Sequence, residues 1–556
     1  MNRHFIKIAL LSAIPLFVIF FFRYVYLYSV NFPYYDDFGD CAGLVAQWEG
    51  TASGWGKIKL LFEQNFDHRV LFLKLICISY YLLTSHLNIT ILILIGDLAL
   101  VGIWLQFYLL ASRSLSHAWL LVAIAALLFQ VQHFESSILW MTCALQHAPC
   151  IFLTTFAVQL ALQNRASWAM VVALVAMLSS ANGILAPILV LGVLFLTKRY
   201  QPLWWAIPLY LLIAAWHLST LTLYSGGRLT HLLYGQPAKL LALLAFAGGF
   251  SRLFTESLLV NQLVGVFFLF PMLLGIYQLF FLRYRTSFSF LQWISLAGLL
   301  FVWFTAVLVT QLRNESVDYS FLQLARYNIY YPFFPIFSLG LLFFTAHPNP
   351  IQRYVAPAIT MVSFFFCILT YYHYQGSILE YRKEISLNQP NYAWSKLIYY
   401  PPIFEDAASV EHFESLRQKG LLSRQHPFMN FIPELDLSVI KDTLKSARMQ
   451  QFSDYAEIRD TSLVVNNKNK EDGIYILLTD QHKSPRYAFY AHHAYPTAYR
   501  IFFRQFYRPM APGFFNQFHF KDLKPGAYEV LVVKVEEAMV QKLYHLAVIQ
   551  IDHQAG

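Results

Sequence analysis

Charge is what this sequence has least of. Only 13% of its 556 residues are Asp, Glu, Lys or Arg, where a soluble chain carries roughly a quarter. With 57% hydrophobic residues, that deficit excludes an ordinary water-soluble globule. Cysteine is scarce as well. Cys41, Cys77, Cys143, Cys150 and Cys367 are odd in number and match no metal-ligand spacing. They read as buried small hydrophobes, with a Cys41–Cys143 disulfide left open as an alternative. No Walker A motif and no Gly-rich fingerprint follows a strand, so no nucleotide site is signalled. There is no His-Glu-x-x-His zinc motif and no Gly-x-Ser-x-Gly nucleophile elbow. Internal repeats and low-complexity tracts are lacking too. Chemistry, if present, falls to carboxylates and cations.

What is there is apolar and aromatic. The 50 Phe and 35 Tyr suit lipid-facing and interfacial surface. Apolar runs fall near 8–28, 88–110, 117–133, 146–163, 167–180, 184–197, 203–222, 259–281, 290–312, 328–346 and 354–374. Several approach the ~20 residues a spanning helix needs. Two shorter stretches, 70–84 and 238–250, read as interfacial or re-entrant helices. The first run follows Arg3 and Lys7, but no small-x-small cleavage site follows it. An uncleaved first helix with a cytoplasmic N-terminus is expected.

Loop charge tests the count. With eleven spans, the inside loops carry Arg113, Arg165, Lys198-Arg199, Arg283 with Arg285, and Arg353. The outside loops receive Asp36, Asp37, Asp40, Glu49, Glu63, Asp67, Glu135, Glu256, Glu315 and Asp318. Every loop then obeys the positive-inside rule. The net charge of +9 is therefore topological, and no nucleic-acid partner is expected.

The fold class expected is a polytopic α-helical membrane protein of about 11 transmembrane helices. A membrane domain covers 1–375 with a long outside loop at 29–69, and an outside domain covers 376–556. That second domain reads as helical over 405–447 and then β-rich. Strand-like runs lie at 474–479, 487–490, 498–503 and 528–535. The last follows Lys524-Pro525-Gly526-Ala527, a turn that launches a strand. A β-sandwich is the expected form.

Asp36-Asp37 is the pair most in need of a reason, because adjacent carboxylates repel. Downstream lies Asn65-Phe66-Asp67-His68-Arg69, immediately before an apolar helix. A cation at a helix start opposes the dipole, so Arg69 reads as an anion ligand or as an interfacial anchor paired with Asp67. Gln130, Gln132, His133, Glu135, Trp140, Gln146 and His147 interrupt the next outside stretch. Ser179-Ser180-Ala181-Asn182-Gly183 forms a tight turn, and Ala325-Arg326-Tyr327 enters a late span. Arg326 there suits lipid phosphate. Asp97 sits inside the second span, where helix packing outweighs proton transport for want of a cation. His492-His493, on opposite faces of a strand, make a poor metal pair.

Four stretches together resemble the GT-C superfamily of integral membrane glycosyltransferases, and among them bacterial Gtr-type cell-envelope enzymes. They are Tyr35-Asp36-Asp37-Phe38; Asp67-His68-Arg69; Gln132 through Glu135 with Trp140 to Gln146; and Asn182-Gly183. Arg326-Tyr327 is similar to a late Arg-Tyr pair of that superfamily. The likeness covers about residues 1–375, and the tail resembles nothing nameable.

The resemblance implies an inverting glycosyltransferase in the bacterial inner membrane, working at the periplasmic face. The donor would be a polyprenyl-phosphate-linked sugar, and the acceptor a glycan, glycolipid or protein of the cell envelope, such as O-antigen. Asp36 or Asp37 would be the catalytic base, and His68, Arg69 and Arg326 would hold the donor phosphate. Tyr35, Gln132, Glu135, Trp140, Gln146 and Asn182 would line the acceptor and sugar. Some members carry a divalent metal at the acidic pair. Two carboxylates with no third ligand lean against an obligatory one. The competing readings are a flippase of lipid-linked sugars and a non-catalytic envelope-assembly protein.

Overall fold

A computed structural model describes residues 3–65, 68–111, 114–220, 237–281, 288–312, 325–344, 352–396, 398, 407–420, 442–465, 470–492, 513–537 and 539–551. Asp67, Arg113, Arg283, Arg285, Arg313, Glu315, Asp318, His493 and the run 498–503 lie outside them. The chain divides into two units, Met1–Leu27 with Asp36–Tyr374, and Tyr28–Tyr35 with Gln375–Gly556.

The described residues of the first unit are mainly helical. Its helices are α1 (Arg3–Tyr28), α2 (Leu44–Gly50), α3 (Gly54–Phe62), α4 (Leu71–Thr84), α5 (Ile89–Leu110), α6 (Leu115–Leu128) and α7 (Met141–Leu162). They continue as α8 (Ala166–Met177), α9 (Leu185–Leu196), α10 (Leu203–Ser219), α11 (Pro237–Ala247), α12 (Leu258–Phe281), α13 (Phe290–Leu312), α14 (Phe333–Phe343) and the start of α15 (Gln352–Ser395). Among the described residues six helices are long and apolar enough to cross a membrane: Phe5–Tyr28, α5, α7, α12, Phe290–Gln311 and α15. Others are shorter; α6 has 14 residues, about 21 Å at 1.5 Å per residue, against a hydrocarbon core of about 30 Å.

α7 is the innermost of the long helices. In its most apolar stretch 83% of residues are buried, against 11% for the first helix. Its neighbour α5 comes close because Gly96 faces it. A Cβ at Gly96 would stand 2.5 Å from the Ala144 carbonyl oxygen. The start of α7 is thereby pinned against α5 by a residue with no side chain. All five cysteines are free thiols and buried. Cys41 neighbours Cys77, and the Cys41–Cys143 disulfide left open by the sequence is not formed.

The second unit contains the C-terminal part of α15, α16 (Ala407–Gln418) and eight strands. These are β1 (Asp442–Thr443), β2 (Arg448–Gln451), β3 (Tyr455–Asp460), β4 (Gly473–Thr479), β5 (Pro485–Ala491), β6 (Phe514–His519), β7 (Gly526–Glu536) and β8 (Met539–Ile551). One sheet has the order β1-β8-β7-β4-β5 and the other β2-β3-β6. All neighbours run antiparallel except β1 and β8. A single apolar core joins the sheets, with Ile458 and Phe518 of one against Ile476, Phe489 and Val532 of the other. The Phe489 and Phe518 rings stack at 5.0 Å.

The helical reading of 405–447 needs correction. α16 accounts for its first part and 421–441 lie outside the described residues, but Asp442–Thr443 is strand, held by pairing with β8; beyond that range β2 follows. Arg, Met and Gln favour helix intrinsically. Pairing of Arg448–Gln451 with Ala456–Arg459 of β3 overrides that preference.

Leu387 of α15 packs on the outer face of the five-stranded sheet with Tyr475, Leu477, Tyr490, Leu531 and Val533. The Asn391 amide donates to the Ala488 carbonyl at 2.9 Å and accepts from the Ala488 N–H at 2.7 Å. This supplies β5, the edge strand, with part of a missing neighbour. Buried ions flank the contact. Arg382 pairs with Glu471 at 3.0 Å, and Lys383 donates to the Asp472 carbonyl.

His492, beyond β5, lies 3.0 Å from Glu384 and 3.7 Å from Glu380. Burial lowers its pKa, but the two carboxylates outweigh burial and lift it to about 10. The pair's contribution should be fully present below about pH 6.5 and vanish as pH rises through 10. The His492 side chain is 42% exposed, so screening limits its worth to about 1 kcal/mol. The melting-temperature gap between wild type and His492→Gln should close between pH 8 and 10.5. A gap that persists at pH 10.5 would assign the effect to packing.

Candidate functional site

The site is organised around the start of α7. Trp140 precedes it with an extended backbone and provides no side-chain cap. The first turns present Thr142, Cys143, Gln146 and His147, whose i, i+4 spacing puts them along one face. Three of them hydrogen-bond to segments remote in sequence.

Thr142 meets Asp37. Its N–H and its hydroxyl both donate to Asp37 Oδ1, at 2.8 and 2.7 Å. The N–H is one that an α-helix leaves orphaned at its start. A fully buried carboxylate from a distant loop satisfies it and complements the helix dipole. Gln146 meets His68 at 2.6 Å and donates to Ser180 Oγ at 3.3 Å. His147 meets the Tyr330 hydroxyl at 3.0 Å.

Asp36 differs from Asp37 in being half-buried. Tyr35, grouped with the second unit, has φ of 47°, a left-handed conformation uncommon for a bulky residue. Such strain concentrates at functional sites. A third carboxylate joins the pair. Asp40 is 2% exposed, accepts from the Asn65 amide, and gives its N–H to the Asp36 carbonyl at 2.8 Å. Burial, then the charge of Asp36, pushes the Asp40 carboxyl well above the usual carboxylate range, against the pull of Lys74. Asp40 was readable only as one more outside acid. The signal was a third carboxylate four residues after the first. Lys74 reaches back to the Leu60 and Glu63 carbonyls at 3.0 and 2.9 Å, tying off the end of α3.

Two π-helical turns occur here, Phe38–Gly43 just after Asp37 and Glu135–Leu139 just before Trp140. Wide turns of this kind recur at functional sites because they re-aim side chains.

Arg326 and Arg69 have different surroundings. Arg326 is half-buried in a 3₁₀ turn, Ala325–Tyr330, with its guanidinium 5.2 Å from the Tyr327 ring. Ser136 donates to its backbone carbonyl at 3.0 Å. Burial lowers its pKa, but Tyr327, Cys143 and the charge of Asp36 raise it above the ordinary arginine value. Arg326 and Asp36 are thus electrostatic neighbours. Arg69 is turned to structure. Its Nε donates to the Phe62 carbonyl at 2.8 Å, Nη1 to the His217 carbonyl at 3.2 Å, and Nη2 to Thr220 at 2.7 Å. Its guanidinium lies 4.5 Å from the Trp216 ring.

The other candidates divide the same way. Asn182 is buried and donates to Thr305 and Tyr330, both at 2.9 Å, so it reaches α7 through Tyr330. Gln132 is buried and holds the Gly249 and Phe250 carbonyls at 3.1 and 3.3 Å. Glu135 is half-buried, and burial lifts its carboxyl to about 7 against the Arg252 charge. Around the start of α7, then, come Asp36, Asp37, His68, Gln146, Arg326 and, indirectly, Asn182. Arg69 and Gln132 brace other segments. His147, one of the polar cluster read from the sequence, joins them, and Thr142 and Tyr330 come from outside that reading.

The Asp37 and Asp40 carboxylates here are engaged in hydrogen bonds. Asp37 Oδ1 already takes two protons and Asp40 is paired with Asn65. Among the described residues no group of three or more His, Cys, Asp or Glu is gathered as metal ligands. Comparison with known proteins finds no matching family model, no matching curated protein and no matching solved structure.

Proposed function

We propose that this chain is an inverting glycosyltransferase that uses a polyprenyl-phosphate-linked sugar, as the GT-C likeness of its motifs implies. The observation that carries the reading is the division of labour within one acidic pair. Asp37 is sealed and bound to the α7 start, while Asp36 keeps partial exposure beside the charge of Arg326. A base needs access and a nearby cation to remain ionised.

In the proposed reaction the acceptor hydroxyl attacks the sugar C1 and gives its proton to Asp36. The C1–oxygen bond to the lipid phosphate breaks, with inversion and oxocarbenium character. The polyprenyl phosphate leaves with the bonding electron pair. Arg326 and His68 meet its growing charge. Glu135, Trp140 and Gln146 supply polar and aromatic surface for the sugar. Eleven crossings would be made from the six long helices with α6, α8, α9, α10 and α14. The site would then face the periplasm of a bacterial inner membrane, toward glycan, glycolipid or protein acceptors.

The purified full-length protein in lipid nanodiscs should transfer sugar from at least one polyprenyl-phosphate hexose or pentose to envelope glycolipid, detected by mass spectrometry. Sugar-lipid translocation without a new glycosidic bond would favour a transporter instead. One observation speaks for that second reading. Asp97 is fully buried in α5, and neither carboxyl oxygen has a hydrogen-bond partner among the described residues. Buried carboxylates of this kind mark transport pathways as well as packing defects.

A further inference from the structure

A line of hydrogen bonds fixes where the proton of His147 sits. The Thr305 hydroxyl donates to the Phe301 carbonyl at 2.8 Å, which uses its only proton. Its oxygen can therefore only accept from Asn182, 2.9 Å away. That requirement orients the Asn182 amide, whose nitrogen must face Thr305. The same nitrogen gives its second proton to the Tyr330 oxygen at 2.9 Å. The buried Tyr330 hydroxyl must place its own proton, and among the described residues His147 Nδ1, 3.0 Å away, is the acceptor within reach, so Tyr330 donates to it. Nδ1 must then be an acceptor, and the imidazole proton sits on Nε2.

The line is rigid. Tyr330 is 1% exposed, Asn182 5% and Thr305 2%. It is anchored in α13 and crosses to α7 through buried, hydrogen-bonded side chains. His147 itself lies within electrostatic reach of Arg326 and His68.

We infer that His147 is a fixed, neutral hydrogen-bond donor that offers Nε2–H to a phosphate oxygen of the lipid-borne donor, with Tyr330 and Asn182 as its positioning residues. The identity of the ligand rests on the sugar-transfer reading; the proton position does not. A histidine free to titrate changes its donor set near pH 6.5. One locked by Tyr330 presents the same donor through that range, beside a cation that supplies the charge. The hydrogen-bond partner of one ring nitrogen commonly sets a histidine's tautomer in this way.

The test uses full-length protein, ¹⁵N-labelled at histidine, in nanodiscs, with undecaprenyl phosphate as the probe. His147→Gln identifies the signal. Wild type should show an unprotonated Nδ1 and a protonated Nε2 from pH 6 to 8, and the probe should shift Nε2. His147→Gln, whose amide nitrogen falls near Nε2, should bind the probe within about threefold of wild type. His147→Asn, whose amide falls near Nδ1, should bind it about tenfold or more weakly, the equivalent of one lost hydrogen bond. Tyr330→Phe should make the wild-type affinity pH-dependent, which a purely packing role would not. A proton on Nδ1, equal binding by His147→Asn, or no response to the probe would each overturn the inference. Sugar transfer by wild type without any Nε2 response would overturn it alone. An intact response with no transfer from any donor would leave it standing and remove the reaction.

Discussion

Asp36→Asn should abolish sugar transfer while leaving the protein as stable as wild type. The expected loss in kcat is about 10³-fold, within the 10²–10⁴ range of a positioned general base. Asparagine keeps the shape and loses the proton acceptor. Asp37→Asn should behave in the opposite sense. Its partner is the Thr142 N–H and hydroxyl, not a substrate. The amide retains an acceptor oxygen but loses the charge that complements the α7 dipole. A stability loss of about 1 kcal/mol is expected, the size of a helix-cap deletion, with a rate loss of about tenfold from a shifted helix start. Thermal unfolding in detergent and transfer kinetics on both variants separate the two. If Asp37→Asn is the dead, stable one, the roles are reversed. If both retain full transfer, neither aspartate is the base.

Arg69→Ala should be the most destabilising substitution in the loop region, by about 3 kcal/mol or more. Its guanidinium serves two helix ends at once. Phe62 closes α3, while His217 and Thr220 lie at the end of α10. Carbonyls there have no intrahelical partner, and the dipole prefers a cation. Hydrogen bonds to a charged group contribute about 1.5–3 kcal/mol each, and of the three acceptors the His217 carbonyl, on a buried residue, loses this donor away from water. Lysine has one nitrogen where arginine has three, so Arg69→Lys should recover less than half. Thermal unfolding again decides. Normal stability with a tenfold higher KM for the lipid donor would return Arg69 to phosphate binding.

Some of this was legible in the sequence. Asp36-Asp37 announced itself because two adjacent acids in an apolar chain carry an electrostatic cost. β4, β5 and β7 were legible because dense β-branched and aromatic runs end at turn residues. β2 was not, because Arg448, Met449, Gln450 and Gln451 have no apolar alternation, and its strand character comes from its partner. The hub was illegible for a different reason. Thr142 and Tyr330 are ordinary residues in apolar surroundings. What distinguishes them is contact across 105 and 183 residues of chain. Arg69 was legible as unusual and not as structural, since the carbonyls it serves have no sequence signature.

The crowding of partners onto six consecutive positions of α7, Thr142 to His147, bears on how this site can vary. Three loops and a buried tyrosine each depend on the pitch of the same two turns. A substitution in any one of them alters the setting in which the others are read. Effects at Asp37, His68 and Tyr330 will therefore not sum, as they would for well-separated residues. Tolerated sequences should change at these positions together or not at all, so substitutions that look severe one at a time can be harmless in company.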